Sequence, residues 1–199
     1  MKKKLAIIGA GGHGKVIGEI ALLKKYKKIH FFDDNVSKIK KYPFEIIDTL
    51  NYLKKNLSNY DAFFVAIGNN YLRRNKVNWL KRLDVNIVSL IHPKSTVSKF
   101  SSLGVGTCVM ANAVINPGSL INEGVIINTS ASIDHDCTID NFAHISPNCG
   151  LSGNVCVGKF THLGTGTSVH PGVKIGNEVK TGIGSRIYKN ILNNKIFKN

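Results

Sequence analysis

Between Ile91 and Leu192, apolar and polar positions recur with a period of six. Ile91, Val97, Leu103, Val109, Ile115, Ile121, Ile127, Ile133, Ile139, Ile145, Leu151, Val157, Leu163, Val169, Ile175 and Ile187 form one column, interrupted only by Thr181. Four residues after each member lies a small or β-branched side chain, from Ser95, Ser101 and Thr107 through Cys137 and Cys149 to Ser185 and Ile191. Neither a helical period nor a simple alternation produces such a pair of columns. A six-residue repeat builds a parallel β-helix, each repeat supplying one short strand and a corner. The aliphatic side chain fills the interior, and the small one fits beside it. In the left-handed form three hexads make a triangular coil, so residues 18 apart stack along the axis, and the region builds roughly five to six coils.

The residues before this register follow a different rule. The run Leu5-Ala6-Ile7-Ile8 reads as a buried strand and leads straight into Gly9-Ala10-Gly11-Gly12-His13-Gly14. That fits G-x-G-x-x-G between a strand and a helix, where glycines permit a tight turn and close approach of a ligand. The following helix places Val16, Ile17, Ile20, Ala21 and Leu23 on one face. A second strand at 29–32 ends at Asp33-Asp34, about 20 residues past the glycines, where a ribose-binding carboxylate belongs. A third strand at 62–67 runs into Gly68-Asn69-Asn70 and a helix carrying Arg73, Arg74, Trp79 and Leu80; a fourth strand is expected at 85–90. Tyr42-Pro43 and 56–59 read as turns. The expected organisation is a small N-terminal α/β Rossmann-like domain over 1–90, a left-handed parallel β-helix over 91–192 and a tail over 193–199.

The glycine loop raises the prospect of an NAD-dependent dehydrogenase. About 90 residues are too few for both halves of a dinucleotide domain plus a catalytic domain, so a single nucleotide is the better fit. For His13 and Asn69, loop chemistry and ligand contact are equally good readings.

Charge sharpens this picture. The net charge is +15, and residues 1–90 hold 18 of the 27 basic side chains against 7 acidic ones. A positive field favours phosphate-bearing ligands. The lysine cluster at 24–28 holds a single aromatic, Tyr26, which is thin support for a nucleic-acid groove. No apolar run reaches the roughly 18 residues of a membrane span, and the N-terminus is too short for a secretory h-region. Cys108, Cys137, Cys149 and Cys156 show no CxxC spacing, and two occupy the small column; they read as reduced packing residues of a cytoplasmic protein.

Polar residues that leave the columns are the candidates for chemistry. In Ile133-Asp134-His135-Asp136-Cys137 a histidine stands between two carboxylates at an outward position, and either carboxylate could fix its tautomer. His144 lies nine residues on, and His162, 18 further, should stack over it. His92, His162 and His170 are expected to be structural. The histidine spacing matches no standard zinc pattern, so no metal is expected. There is no G-x-S-x-G or Cys–His arrangement for a covalent nucleophile.

Together these residues resemble the left-handed β-helix (hexapeptide-repeat) sugar acyltransferases, in the group joining nucleotide-sugar 4-amino N-acetyltransferases with sialic acid O-acetyltransferases. The resemblance rests on the segment Ile7–Gly14, on Phe32-Asp33-Asp34, Ala66-Ile67-Gly68-Asn69-Asn70 and Leu90-Ile91-His92-Pro93, and above all on Asn128-Thr129 through Cys137 with His144. It implies a homotrimer with acetyl-CoA between neighbouring β-helices and a nucleotide-sugar on the N-terminal domain. It also implies His135 as catalytic base with Asp136 beside it, His144 near the acetyl group, and Gly153 with its N–H facing the thioester oxygen. Gly11, His13, Asp33, Asp34, Gly68 and Asn69 fall where members hold the nucleotide. Two features depart from the pattern. Many members carry Glu where Asp136 stands, which leaves Asp134 as an alternative orienting partner. The Gly-x-Pro-Ala-Lys/Arg segment found near the coenzyme in the family is not present here. The expected reaction is direct N-acetylation of a nucleotide-linked 4-amino sugar; the alternatives are O-acetylation of a sialic-acid-like sugar and a non-catalytic nucleotide-sugar binder.

Overall fold

Apolar runs in the first ninety residues fold as an all-parallel sheet. The computed structural model describes residues 3–35 and 41–197, and the chain divides after Pro93 into two units. In the first, β1 (Lys4–Ile8), α1 (Gly12–Leu23), β2 (Lys28–Phe32), β3 (Glu45–Asp48), α2 (Leu50–Lys55), β4 (Ala62–Val65) and α3 (Asn70–Arg82) follow in order. The sheet order is β3-β2-β1-β4. Leu5 through Ile8 on β1 and Ala62 through Val65 on β4 are all buried, which is why these strands read as unbroken apolar runs.

Two expectations need correction. The segment 85–90 is not a regular strand: it meets β4 only through a Phe63–Ile87 bridge, with Asn86 and Val88 bonding the Phe63 backbone. β3 was not anticipated. Its half-buried Glu-Ile-Ile-Asp sequence suits an edge, and its register against β2 shifts between Phe31 and Phe32. Close packing of α1 onto the glycine loop requires Gly14, where a Cβ would lie 2.4 Å from the Gly9 carbonyl oxygen.

The second unit is a left-handed parallel β-helix of two-residue strands. Strands pair 18 residues apart, as in Val114–Ile115 with Ser132–Ile133 and then with Gly150–Leu151. From Val109 to Ile175 every aliphatic-column residue is buried, and so are the small-column residues from Thr107 to Ser185. Buried hydroxyls in the small column are satisfied by the next coil. Thr107 Oγ1 donates to the Asn122 carbonyl (2.8 Å) and accepts from Val125 N (3.2 Å); Thr161 repeats the pattern with Gly176 and Val179.

A third column, not visible as hydropathy, sets the corners. Every sixth residue from Gly106 to Gly184 has positive φ. Glycine, asparagine or aspartate occupies most of these positions, since an L side chain strains there and short polar ones strain least. Asp136 (φ 58°) is one of them.

The register slips once, near its end. Ile175 bridges Ile191, and Lys180–Thr181 pairs with Ile196–Phe197, offsets of 16 residues. Ile191 therefore takes the aliphatic column rather than the small one, and the segment expected as a tail carries a further strand. Among the described residues, no helix is long and apolar enough to cross a membrane.

The first unit also buries a cation. Arg73 is almost fully enclosed; it donates to the Ile67 and Gly68 carbonyls (3.0 and 2.8 Å) and to Asn70 Oδ1 (2.9 Å). Burial, reinforced by this guanidinium, pushes the His13 imidazole down to about 4. The folded chain thus refuses a proton that the unfolded chain accepts below its ordinary value of 6.5. Stability from this group is complete above that value and is lost as pH falls toward 4, by up to about 3 kcal/mol. Urea unfolding followed at Trp79, in α3, checks this. Between pH 7 and pH 5 the wild type should lose about 2 kcal/mol more than His13→Gln; equal losses would contradict the assignment.

Candidate active site

The β-helix corner after the strand Ser132–Ile133 carries the most developed chemistry. His135 Nδ1 donates to Asp136 Oδ2 at 2.8 Å, and both side chains are a little over half exposed. A carboxylate cannot donate, so the proton of the neutral ring is on Nδ1 and the lone pair is on Nε2. The hydrogen bond to Asp136 raises the imidazole above its ordinary value, with further support from the charges of Asp134 and Asp136. Asp136 is therefore the orienting partner. Asp134 does something else: its Oδ1 accepts from the His135 backbone N–H (2.8 Å) and from Asn116 Nδ2 (2.9 Å). These two bonds hold its carboxyl below the usual carboxylate range.

The 18-residue offset explains how this corner is held. One coil below Asp136 is Gly118, where a Cβ would lie 2.2 Å from the carboxylate; one coil above His135 is Gly153, where a Cβ would lie 2.5 Å from ring atoms Cε1 and Nε2. Any side chain at 153 would displace the imidazole. Ser119, buried one coil below Cys137, donates to the Asp134 carbonyl (2.6 Å) and accepts from Cys137 N (3.1 Å). Gly153 accepts from Gly172 N, while its own N–H donates no hydrogen bond among the described residues. A cleft of about 660 Å³ begins beside this corner, lined on successive coils by Asn116, Asp134, Ser152, His170 and Tyr188.

His144 belongs to a different sheet, on the strand His144–Ile145. Asn128 Oδ1 accepts from Thr129 N (2.8 Å), which turns Nδ2 toward His144 Nε2 (3.1 Å). The His144 ring stacks on that of His162, centroids 4.4 Å apart and planes within 8°, as the register requires. His135, Asp136 and Gly153 are thus brought together within one chain, whereas His144 is placed with Asn128 and His162. The sequence reading passed over Asn116, Gly118 and Ser119; stepping back 18 residues from Asp134, Asp136 and Cys137 finds all three. Cys137 and Cys149 are buried and donate to the Ser152 and Gly164 carbonyls (3.2 Å each), with burial raising both thiols.

In the first unit a cavity of about 390 Å³ is lined by Gly11, Gly12, His13, Asp33, Asp34 and Gly68 among others. No atom lies within 4 Å of a Cβ built at Gly11, Gly12 or Gly68, so the backbone is open to a ligand there. The α1 N-terminus supplies amide N–H groups suited to an anion. His13 Nε2 is buried, neutral at physiological pH and without a hydrogen-bond partner among the described residues. Both carboxylates have structural duties as well. Asp33 accepts from Ala10 N and Asn35 N (2.9 Å each), and Asp34 accepts from Leu50 N (3.1 Å) and pairs with Lys76 (3.4 Å). Asn69 lies outside the lining and caps α3, its Oδ1 accepting from Tyr71 N and Leu72 N (3.1 and 3.0 Å). Among the described residues, no group of three or more His, Cys, Asp or Glu side chains is placed to hold a metal.

Residues 4–80 match the family described as the PglD N-terminal domain. The UDP-N-acetylbacillosamine N-acetyltransferase of Bacillus subtilis (strain 168) is 35% identical over 113 residues, 55% of this chain; the chain spans about half, 52%, of that curated relative. The acetyltransferase domain of PglB from Neisseria gonorrhoeae FA1090, solved with acetyl coenzyme A, is 39% identical with a TM-score of 0.95, covering 100% of this chain and 97% of that one. PerB from Caulobacter crescentus, solved with CoA and GDP-perosamine, is 32% identical with a TM-score of 0.89, covering 96% and 91%. With a matching N-terminal unit, a matching β-helix and relatives of this kind across its length, the chain belongs to the left-handed β-helix sugar acyltransferases, in the group that contains the bacillosamine and perosamine N-acetyltransferases.

Proposed function

We propose that this protein transfers the acetyl group of acetyl-CoA directly to the 4-amino group of a nucleotide-linked deoxy sugar, with His135 as general base. The observation that carries the reading is the 2.8 Å bond from His135 Nδ1 to Asp136, which presents the basic Nε2 outward. As the sugar amine attacks the thioester carbon, Nε2 takes the proton that the nitrogen sheds, and Asp136 stabilises the imidazolium that forms. The Gly153 N–H is offered to the developing oxyanion, a contribution of roughly 3 kcal/mol for one donor. Collapse of the tetrahedral intermediate expels the CoA thiolate, which takes up a proton. No acyl-enzyme is required.

The cleft from Asp134 to Tyr188 crosses three coil spacings, about 14 Å at the usual strand separation, and suits the extended arm of a coenzyme whose sulfur lies near His135. The glycine-lined cavity of the first unit, with the α1 N-terminus and neutral His13, suits the diphosphate of the sugar nucleotide. Relatives solved or named with CoA, GDP-perosamine or a bacillosamine product support both assignments. Asn128 and His144 lie on a different sheet from His135, so we read the complete site as formed between copies, in a homotrimer. Cytoplasmic location fits both co-substrates and the four free thiols.

Mass spectrometry after incubation with acetyl-CoA and a panel of nucleotide-linked sugars tests the substrate assignment. One acetyl group should appear on 4-amino sugars and none on their 4-hydroxy counterparts; acetylation of the hydroxy sugars alone would refute it. His135→Ala should lower kcat by about 10²–10⁴. Because the imidazole must be neutral, kcat/KM should fall as pH drops through the raised value of His135, and Asp136→Asn should move that limb to lower pH. Gly153→Ala should cost about a hundredfold in kcat by displacing the ring, with its thermal midpoint little changed. Wild-type turnover in that variant would separate Gly153 from the site.

A further inference from the structure

Asn116 is one coil below Asp134 and takes no part in the mechanism above. Its Nδ2 donates 2.9 Å to the same Oδ1 that accepts the His135 backbone N–H at 2.8 Å. One carboxylate oxygen is therefore clamped between a side chain of the lower coil and the backbone of the catalytic residue. Asp134 is half-buried, and without Asn116 its carboxylate would keep only the His135 N–H as a partner. We infer that Asn116 is a positioning residue, which acts through Asp134 to fix the backbone of His135 so that its ring bonds Asp136 and rests on Gly153. This role rests on the reading of His135 as the base.

The physical case is one of pre-organisation. His135 presents its imidazole from a corner whose backbone bonds the adjacent coils through Asp134 N (to Leu151 O), Asp136 N (to Pro117 O) and His135 O (from Asn154 N), while the His135 N–H turns instead to Asp134. Beside the bonds that Asn154 N and Cys137 Sγ make to the His135 carbonyl, four further contacts set the N–H and the ring: Ser119 on the Asp134 carbonyl, Asp134 on the His135 N–H, Asp136 on Nδ1 and Gly153 against the ring. Asn116 holds the second of these, and its amide favours the ionised, acceptor-only form of Asp134. The charged or titratable groups around this cluster are Asp134, Asp136 and the Cys137 thiol, with His170, Tyr188 and Arg186 further along the cleft.

Steady-state kinetics across pH 5–8 test the inference. Asn116→Ala should lower kcat by about ten- to a hundredfold, the cost of a small misplacement. Asp134→Ala should cost the same, and the double variant no more than either. Asn116→Asp keeps the shape and adds a signature that a merely structural role would lack. When protonated it still donates to Asp134, and when ionised it repels, so its activity relative to wild type should decline as pH rises. Additive losses in the double variant, or a ratio independent of pH, would overturn the inference. The His135 amide proton, read by NMR without substrate, gives an independent measure. It should move upfield and exchange faster in Asn116→Ala. If no sugar is acetylated but this resonance responds, the functional reading fails and the positioning stands; if turnover is normal and the resonance is unmoved, the positioning alone fails.

Discussion

The hydrogen-bonded ladder between successive coils is the constraint on which the rest of the β-helix depends. Each strand is only two residues long and could not persist alone, so order comes from stacking at an 18-residue offset. The ladder selects an aliphatic side chain inside nearly every strand, a small one beside each corner, and a left-handed residue to turn the corner. It is enforced redundantly, by backbone bonds and by buried hydroxyls such as those of Ser119 and Thr161. Where it relaxes, after Ile187, the coil shortens by two residues and continues.

A scaffold this regular turns position into chemistry. The left-handed conformation at Asp136 folds its carboxylate back onto the preceding imidazole, a geometry that an extended backbone would not provide between neighbours. Glycine below Asp136 and glycine above His135 clear the space for both side chains. The His135–Asp136 pair is thus local in sequence, while its supports come from one coil away on either side. The first unit works by different means: a parallel sheet ends in open glycines and a helix N-terminus, with charged side chains bracing the loops.

Much of this was legible in the sequence, and the limits have physical causes. The interior columns were plain because burial selects aliphatic and small side chains, and the His144–His162 stack followed from the register alone. The left-handed column was not, because its occupants, from Gly118 to Phe142 and Glu178, share a backbone angle rather than a hydropathy. Asp134 and Asp136 could not be told apart from residue types, since the choice depends on which carboxylate reaches Nδ1. β3 escaped notice because an edge strand with charged ends carries little apolar signal. For Asn69 residue type left loop chemistry and ligand contact equally open, and the structure shows its side chain capping α3, a common duty of asparagine in that position.

The central claim is that stacking holds His135 as a neutral base, protonated on Nδ1 and basic at Nε2. Nitrogen-15 NMR of the imidazole, above its raised titration point, tests this most directly. The account predicts a single tautomer with the proton on Nδ1 in the wild type, and loss of that preference in Asp136→Asn. A wild-type ring that carries its proton on Nε2, as a free histidine mostly does, would contradict it.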